Sequence, residues 1–151
     1  PGTVFDKMQD AELDGETHHV VKVGYEEGVG DSPDDYYILY VHPETHHVNA
    51  IRYVVAYPGF FPEGKHSPEK LMTYLDQKEV EGLRFAHRYE AFSFDQETGE
   101  PGDKVTEVDI GDIRLGQSWR ASTFEPPEDA EIIREIAPPE PKPEAGEGAG
   151  D

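Results

Sequence analysis

The chain has 151 residues and no cysteine, so it is long enough for one domain with its own core and cannot form disulfides or thiolate metal sites. Aspartate and glutamate outnumber lysine and arginine by 33 to 13, which gives a formal charge of −20. This balance argues against nucleic acid as a partner, because the basic patch that would neutralise phosphates is missing. No segment approaches the about 18 apolar residues that a membrane-spanning helix needs.

Three interpretations of the acidic charge remain open. The protein binds a basic partner, it binds divalent cations, or it lives in high salt, where dense carboxylates keep a protein hydrated and their repulsion is screened. The residues before Glu125 still carry a charge of −13, so the C-terminal tail accounts for only part of it. The acids are dispersed rather than clustered, which favours the halophilic interpretation.

In chain order, the sequence predicts a polar start followed by a series of strands. Residues 1–16 contain few sizeable apolar side chains, and we expect them to be a poorly ordered lead-in. From residue 17 to about residue 115, apolar and polar side chains alternate with the period of β-strands, between segments rich in turn residues. The predicted strands are residues 17–25, 36–41, 46–57, 71–79, 83–95 and 104–115.

Turn residues and strand length refine this prediction. Residues 42–45 form a predicted tight turn with Pro43 at its second position, and residues 80–82 form another. The strand at 83–95 would be roughly 43 Å long at about 3.3 Å per residue. A strand of that length must twist and coil, which indicates a partly closed barrel. The Gly111-Asp112 step breaks the alternation and predicts a bulge.

The C-terminal part has a different composition. Residues 127–136 are predicted to form one short helix, because Pro127 suits its first position and the acidic residues after it suit the positive end of its dipole. Residues 137–151 hold four prolines and three glycines and are predicted to be a disordered acidic tail. The predicted fold is therefore mainly β, with a curved, open antiparallel sheet (a half-barrel) and one short C-terminal helix in a single domain at residues 17–136.

Motifs for catalysis or metal binding are missing from the sequence. None of the serines lies in a Gly-x-Ser-x-Gly elbow, and there is no glycine-rich phosphate loop. The adjacent histidines at 18–19 and 46–47 would point to opposite faces of a strand, and no helical zinc motif occurs. The acids at residues 95–103 do not match a calcium loop. We expect no enzymatic activity, no cofactor and no metal site.

Aromatic side chains are the candidate ligand contacts. Eight tyrosines, seven phenylalanines and one tryptophan are many for this length, and they either fill the core or line a cavity for an apolar ligand. Two adjacent phenylalanines in a loop would form a flap or an interaction patch instead. The candidate ligand-binding residues are Tyr53, Tyr57, Tyr74, Phe85 and Tyr89 in the strands, and Phe60 and Phe61 in the loop.

Several segments resemble the lipoprotein-localisation-factor-like half-barrel superfamily, in particular its branch of uncharacterised bacterial lipoproteins. They are the hairpin at residues 37–45 and 51–53, the elements at 74–76 and 79–83, and the strand at 108–113. The resemblance covers about residues 17–115 and implies a curved sheet whose apolar concave face takes acyl chains. The strands and helix of that superfamily that precede residue 17 are largely missing from this sequence, so we expect an N-terminally truncated member.

The resemblance implies a function of binding rather than catalysis. The leading interpretation is a non-enzymatic binding or carrier domain for an apolar ligand, such as a lipid or acyl chain, on the concave face. The alternative is a structural or protein-interaction domain of an exported lipoprotein that meets another envelope protein and has no small-molecule ligand. Both imply export to the periplasm or the outer membrane.

The halophilic interpretation predicts that salt stabilises the fold. In about 1 M potassium chloride the Debye length is about 3 Å, so repulsion between dispersed carboxylates is removed and the melting temperature should rise. Calcium binding predicts instead strong stabilisation by millimolar calcium, and none by potassium chloride of equal ionic strength. Thermal melts in low salt, molar potassium chloride and millimolar calcium distinguish the two. A melting temperature that does not respond to molar salt would contradict the halophilic interpretation.

Overall fold

A computed structural model describes residues 2–29, 32, 34–57, 59–62 and 64–131. Over these residues the chain forms eight β-strands and one 3-10 turn at Ala121–Phe124. The strands are β1 (Thr3–Lys7), β2 (Ala11–Leu13), β3 (Glu16–Tyr25), β4 (Tyr37–Val41), β5 (Val48–Tyr53), β6 (Lys70–Val80), β7 (Leu83–Asp95) and β8 (Glu100–Asp109).

All eight strands belong to one open antiparallel sheet. The order is β1-β3-β4-β5-β6-β7-β8, and β2 pairs with the part of β3 that β1 leaves free. Strands that follow each other in sequence are therefore mostly neighbours in space, joined as hairpins. β1 and β8 are the edge strands, and every residue of both is exposed. The predicted mainly β, open antiparallel fold is confirmed.

Two hairpins turn at an acidic residue followed by glycine. Asp14 and Gly15 join β2 to β3 with φ angles of 53° and 80°, and Glu81 and Gly82 join β6 to β7 with φ angles of 51° and 81°. Positive φ at both central residues defines the type I′ turn, whose twist matches that of paired strands, and glycine adopts it without strain. The turn at Glu81-Gly82 fixes the register of the long β6–β7 hairpin, in which Val80 faces Leu83.

The prediction of a poorly ordered lead-in at residues 1–16 was wrong. β1 and β2 occupy most of this segment and pair along the whole of β3, because the Asp14-Gly15 turn reverses the chain directly onto it. The predicted return strand at 46–57 is shorter and begins at Val48, since His46 adopts a positive φ of 57° in the loop before it.

Two C-terminal predictions also differ from the structure. β8 ends at Asp109, so Gly111-Asp112 lies beyond the strand, and the irregular pairing occurs around Phe92 instead. The predicted helix at 127–136 is wrong over its described part, since residues 127–131 are not helical. These residues are exposed, and so short a helix is unstable without an apolar surface to pack on. Residues 132–136 and the predicted tail at 137–151 lie outside the described residues.

Most of the buried side chains lie on one face of the sheet, and Ala91 is buried on the other. The register aligns Val20, Tyr40, Ala50 and Thr73 across four neighbouring strands, so these side chains point to the same side. We call this side the cluster face. Its buried apolar cluster consists of Val20, Ile38, Tyr40, Ala50 and Leu71, with Ala11, Leu13, Tyr36 and Phe94 packed against it.

A buried ion pair lies beside this cluster. The Oε2 atom of Glu69 is 3.7 Å from Nη1 of Arg52, and its Oε1 atom accepts a hydrogen bond of 3.2 Å from the hydroxyl of Tyr36. The Glu69 side chain is 2% exposed. The Arg52 guanidinium also lies 4.4 Å from the ring centre of Phe94, within the range of a cation–π contact. Burial of a carboxylate is costly unless it is paired and hydrogen-bonded, as the carboxylate of Glu69 is here.

Replacement of Arg52 by methionine should cost about 3–5 kcal/mol of unfolding free energy, because it leaves a buried carboxylate without its cation. The double variant Arg52→Met with Glu69→Gln should be more stable than Arg52→Met alone, since the neutral amide still accepts the Tyr36 hydrogen bond. Urea unfolding of the two single variants and the double variant measures both effects. Additive destabilisation would show that the two side chains do not interact energetically.

Candidate functional site

An open groove crosses the cluster face. Its volume is about 300 Å³, and we call it the leucine groove. Its apolar lining consists of Leu13, Leu71, Leu75, Phe92 and Pro101, with Asp14, Thr73 and Glu90 as its polar residues. β3 and β7 are four places apart in the sheet order, which would separate them by about 19 Å in a flat sheet. Residues from the β2–β3 hairpin and from β7 nevertheless bound this one groove, so the sheet bends toward the cluster face and makes it concave.

A polar network lies in a second cavity that continues from the groove. This cavity has a volume of about 240 Å³ and shares Leu13 and Leu75 with the leucine groove. The buried ring of His18 lies in its wall, with Nδ1 3.0 Å from the carbonyl oxygen of Glu16 and Nε2 3.0 Å from the side-chain amide nitrogen of Asn49. The carbonyl can only accept and the amide nitrogen can only donate, so Nδ1 carries the proton and Nε2 accepts. The ring is thereby fixed in one orientation.

The single carboxylate of β7 in the groove is neutralised by neighbouring cations. Glu90 Oε1 lies 3.1 Å from a guanidinium nitrogen of Arg88 and 3.2 Å from Nζ of Lys104. Both cations also contact Glu107, at 2.7 Å each, and hydrogen bonds first from Lys104 and then from Arg88 lower the pKa of that carboxyl. The network closes the β7–β8 side of the groove without an unpaired charge pointing into it.

Three of the predicted ligand-binding residues come together at a different place. Tyr74, Phe85 and Tyr89 line an open pocket of about 370 Å³ at the β6–β7 hairpin, next to the β4–β5 loop, and we call it the hairpin pocket. The rings of Tyr74 and Tyr89 meet edge to face with centres 5.2 Å apart. Burial raises the pKa of the Tyr74 phenol, and the nearby Tyr89 adds to this, so Tyr74 remains a neutral donor well above physiological pH.

The other predicted residues lie apart from this pocket. Tyr53 stacks on Tyr37 of the neighbouring strand with ring centres 6.5 Å apart. Tyr57 and Phe60 meet edge to face at 5.5 Å in the loop after β5, where Phe60 is 50% exposed. The backbone N–H of Phe61 donates to the carbonyl of Tyr57, so all three loop aromatics form one compact turn.

Strand register places the predicted strand residues on the face opposite the cluster. Tyr53 pairs with Tyr37, and Tyr74 pairs with Tyr89, each one position away from a residue of the cluster face. These side chains were expected to contact an apolar ligand on the concave strand faces, and the alternation left open which face that is. A shift of one residue exchanges the two faces of a strand, and the alternation alone does not say which face curves inward. Their role in ligand binding stays a prediction.

Sequence reasoning missed the residues of the leucine groove. Leu71, Leu75 and Phe92 alternate with the predicted aromatics on the same strands, so the period of the pattern was right, but the alternation does not say which face carries the groove. Leu13 was missed because the Asp14-Gly15 hairpin was overlooked, although an Asp-Gly step is a strong signal for a two-residue turn.

The described part of the chain contains no group of three histidine or acidic side chains placed to hold a metal ion. Within the same residues, no helix has the length and apolar character needed to cross a membrane.

The raised pKa of Tyr74 predicts a loss of stability in alkali. A phenol whose pKa is higher in the folded state stabilises the fold below its unfolded pKa of about 10, and this contribution is lost as the pH rises through the folded value. In Tyr74→Phe the free energy of unfolding should therefore fall less steeply above about pH 10 than in the unmodified protein. Urea unfolding at several pH values measures this, with Tyr25→Phe on β3 as the control. Equal slopes for the two variants would contradict the prediction.

Comparisons with known proteins support the fold alone. No protein-family model and no curated protein matches the chain. Among solved structures, the chain is similar to a candidate outer membrane lipoprotein-sorting protein domain from Vibrio parahaemolyticus, with a TM-score of 0.52 and 14% sequence identity. The match covers 82% of this chain and 46% of that chain, so this chain spans less than half the length of its structural relative. The resemblance to the lipoprotein-localisation-factor-like half-barrel is thereby confirmed as a resemblance of fold.

Proposed function

We propose that this domain is a non-enzymatic binding or carrier module for an apolar ligand, such as a lipid acyl chain, in a protein of the cell envelope. The observation that carries the proposal is the leucine groove. Beside the buried cluster, the concave face leaves an open space of about 300 Å³ between apolar residues. This volume is at the lower end of the about 300–1,000 Å³ that is usual for ligand sites.

The chemistry of the groove suits a hydrocarbon chain. Leu13, Leu71, Leu75 and Phe92 offer apolar contacts without a directional requirement, and each methylene group that leaves water for such a surface gains about 0.8 kcal/mol. The carboxylate of Glu90 is held by Arg88 and Lys104, so it does not oppose an apolar ligand as a free charge. The adjoining cavity at His18 and Asn49 would receive the polar end of such a ligand.

The fold comparison supports a location in the cell envelope. The structural relative is described as an outer membrane lipoprotein-sorting protein domain, which is consistent with acyl-chain binding and with export.

The second candidate is a protein-interaction domain without a small-molecule ligand. The observation that favours it is the loop after β5, where Phe60 is half exposed and packs only against Tyr57 among the neighbouring rings. An aromatic pair of this kind suits the centre of a protein interface. In this case the partner would be another envelope protein.

Mass spectrometry under native conditions tests the proposal first. The protein, purified from its native host without detergent, should carry lipid that is lost on delipidation. A fluorescent acyl-chain probe should then bind to the delipidated protein. Leu75→Glu, which places a carboxylate in the leucine groove, should weaken probe binding at least about tenfold, because a buried charge opposes an apolar ligand.

The matched control for this experiment is Leu83→Glu. Leu83 is 56% exposed at the start of β7 and lies outside the groove, and the substitution adds the same charge to the same hairpin. It should leave the affinity for the probe unchanged. Equal weakening by both variants, or no bound lipid together with no probe binding, would reject the acyl-chain proposal and favour the interaction domain.

A further inference from the structure

The hairpin pocket differs from the rest of this acidic protein in its charge. The chain contains 33 acidic residues, yet no aspartate or glutamate lines the pocket. Its polar lining residues include Arg84, His46, His47 and Gln77, and its apolar or aromatic ones include Tyr74, Phe85 and Tyr89. The lining of this pocket is thus less negative than the rest of the acidic surface. Its nitrogen donors and aromatic walls can attract an anion.

Arg84 is not occupied by an ion pair within the described residues. Glu79 faces it across the β6–β7 hairpin, but their charged groups do not come within 4 Å. By contrast, Arg52, Arg88 and Arg114 each contact a carboxylate. The Arg84 side chain is exposed, and its planar set of donors remains free to bind the two oxygens of a carboxylate or phosphate group.

The β4–β5 loop holds the two histidines at the edge of the pocket. The N–H of His46 donates to the carbonyl of His42, and the N–H of His42 donates to the carbonyl of His47, at 2.9 Å each. The Nδ1 atom of His42 accepts the backbone N–H groups of Glu44 and Thr45, at 3.2 Å each. The loop is therefore closed by its own hydrogen bonds, which presents His46 and His47 in a defined position relative to β6 and β7.

We propose that the hairpin pocket is a binding site for an anionic amphiphile. Arg84, with His46 and His47 beside it, binds the oxyanion head group, and the apolar body of the ligand lies on Tyr74, Phe85 and Tyr89. A carboxylate and a phosphate monoester share the required chemistry, because both offer oxygens in a plane or fork that an arginine can contact. This site shares Tyr74 with the cavity that adjoins the leucine groove, but it shares no residue with the groove itself and does not depend on the function proposed for it.

Calorimetric titration of the protein at fixed ionic strength tests this site with a series of matched ligands. Octanoate and octyl phosphate carry the anionic head group, octanol carries only the apolar body, and inorganic phosphate carries only the charge. At least one of the two anionic amphiphiles should bind about five- to tenfold more tightly than octanol, a discounted value for a charge-assisted contact at a partly exposed site. Octanoate and octyl phosphate distinguish the two possible head groups.

Variants locate the binding on the protein. Arg84→Gln should remove the advantage of the anionic ligand over octanol, whereas Arg120→Gln, an equal change of charge at an exposed arginine outside the pocket, should preserve it.

Three results would overturn the proposal. They are equal affinities for octanol and both anionic amphiphiles, an unchanged preference in Arg84→Gln, and binding of inorganic phosphate as tight as that of octyl phosphate, which would mean an adventitious ion only.

Discussion

The buried contact between Arg52 and Glu69 joins parts of the chain that are distant in sequence. Arg52 comes from β5, Glu69 directly precedes β6, and Phe94, which lies under the guanidinium, belongs to the end of β7. The N–H of Phe94 also donates to the carbonyl of Glu69, and the Tyr36 hydroxyl that contacts the carboxylate lies just before β4. Four successive segments are thus tied together at one end of the sheet, on its concave side. An open sheet without a second layer has few other means of holding its curvature, and the groove exists only while the sheet is curved.

Other cations of the chain also lie at particular sites of the sheet. The chain has 13 lysines and arginines, so each one placed at a particular site leaves fewer to offset the acidic surface. Arg88 and Lys104 are used at the rim of the leucine groove, where they neutralise Glu90 and Glu107 and join β7 to β8. Arg84 stands in the hairpin pocket without a carboxylate in contact. In a protein rich in lysine and arginine, cations beside cavities would be expected by chance. In this acidic chain, Arg84, Arg88 and Lys104 all lie beside cavities of the sheet.

The sequence predicts local features well where one short-range rule decides them. The β6–β7 hairpin was predicted within one residue because its alternation is long and Glu81-Gly82 specifies a two-residue turn. The same signal at Asp14-Gly15 was overlooked, so β3 was predicted from its alternation alone and β1 and β2 were missed. The face of each strand and the Arg52–Glu69 contact could not be predicted, because both depend on which way the sheet bends and on pairing across several strands. The predicted helix at 127–136 is wrong over residues 127–131 for a related reason, since caps and propensity do not form a short helix without a surface to pack on.

The exposed edge of β8 affects the association of one copy of the protein with another. Among the described residues no strand pairs with its outer side, so its outer backbone groups are a template for association with another strand. Asp103, Glu107 and Asp109 along this strand give any second copy the same negative edge, so like charges keep two such edges apart. This protection is electrostatic and has a range of about a Debye length, which shrinks as salt is added. Added salt, which relieves the repulsion between carboxylates within one molecule, therefore also weakens the repulsion between the β8 edges of two molecules. The acidic composition thus affects both the stability of the single chain and its resistance to aggregation.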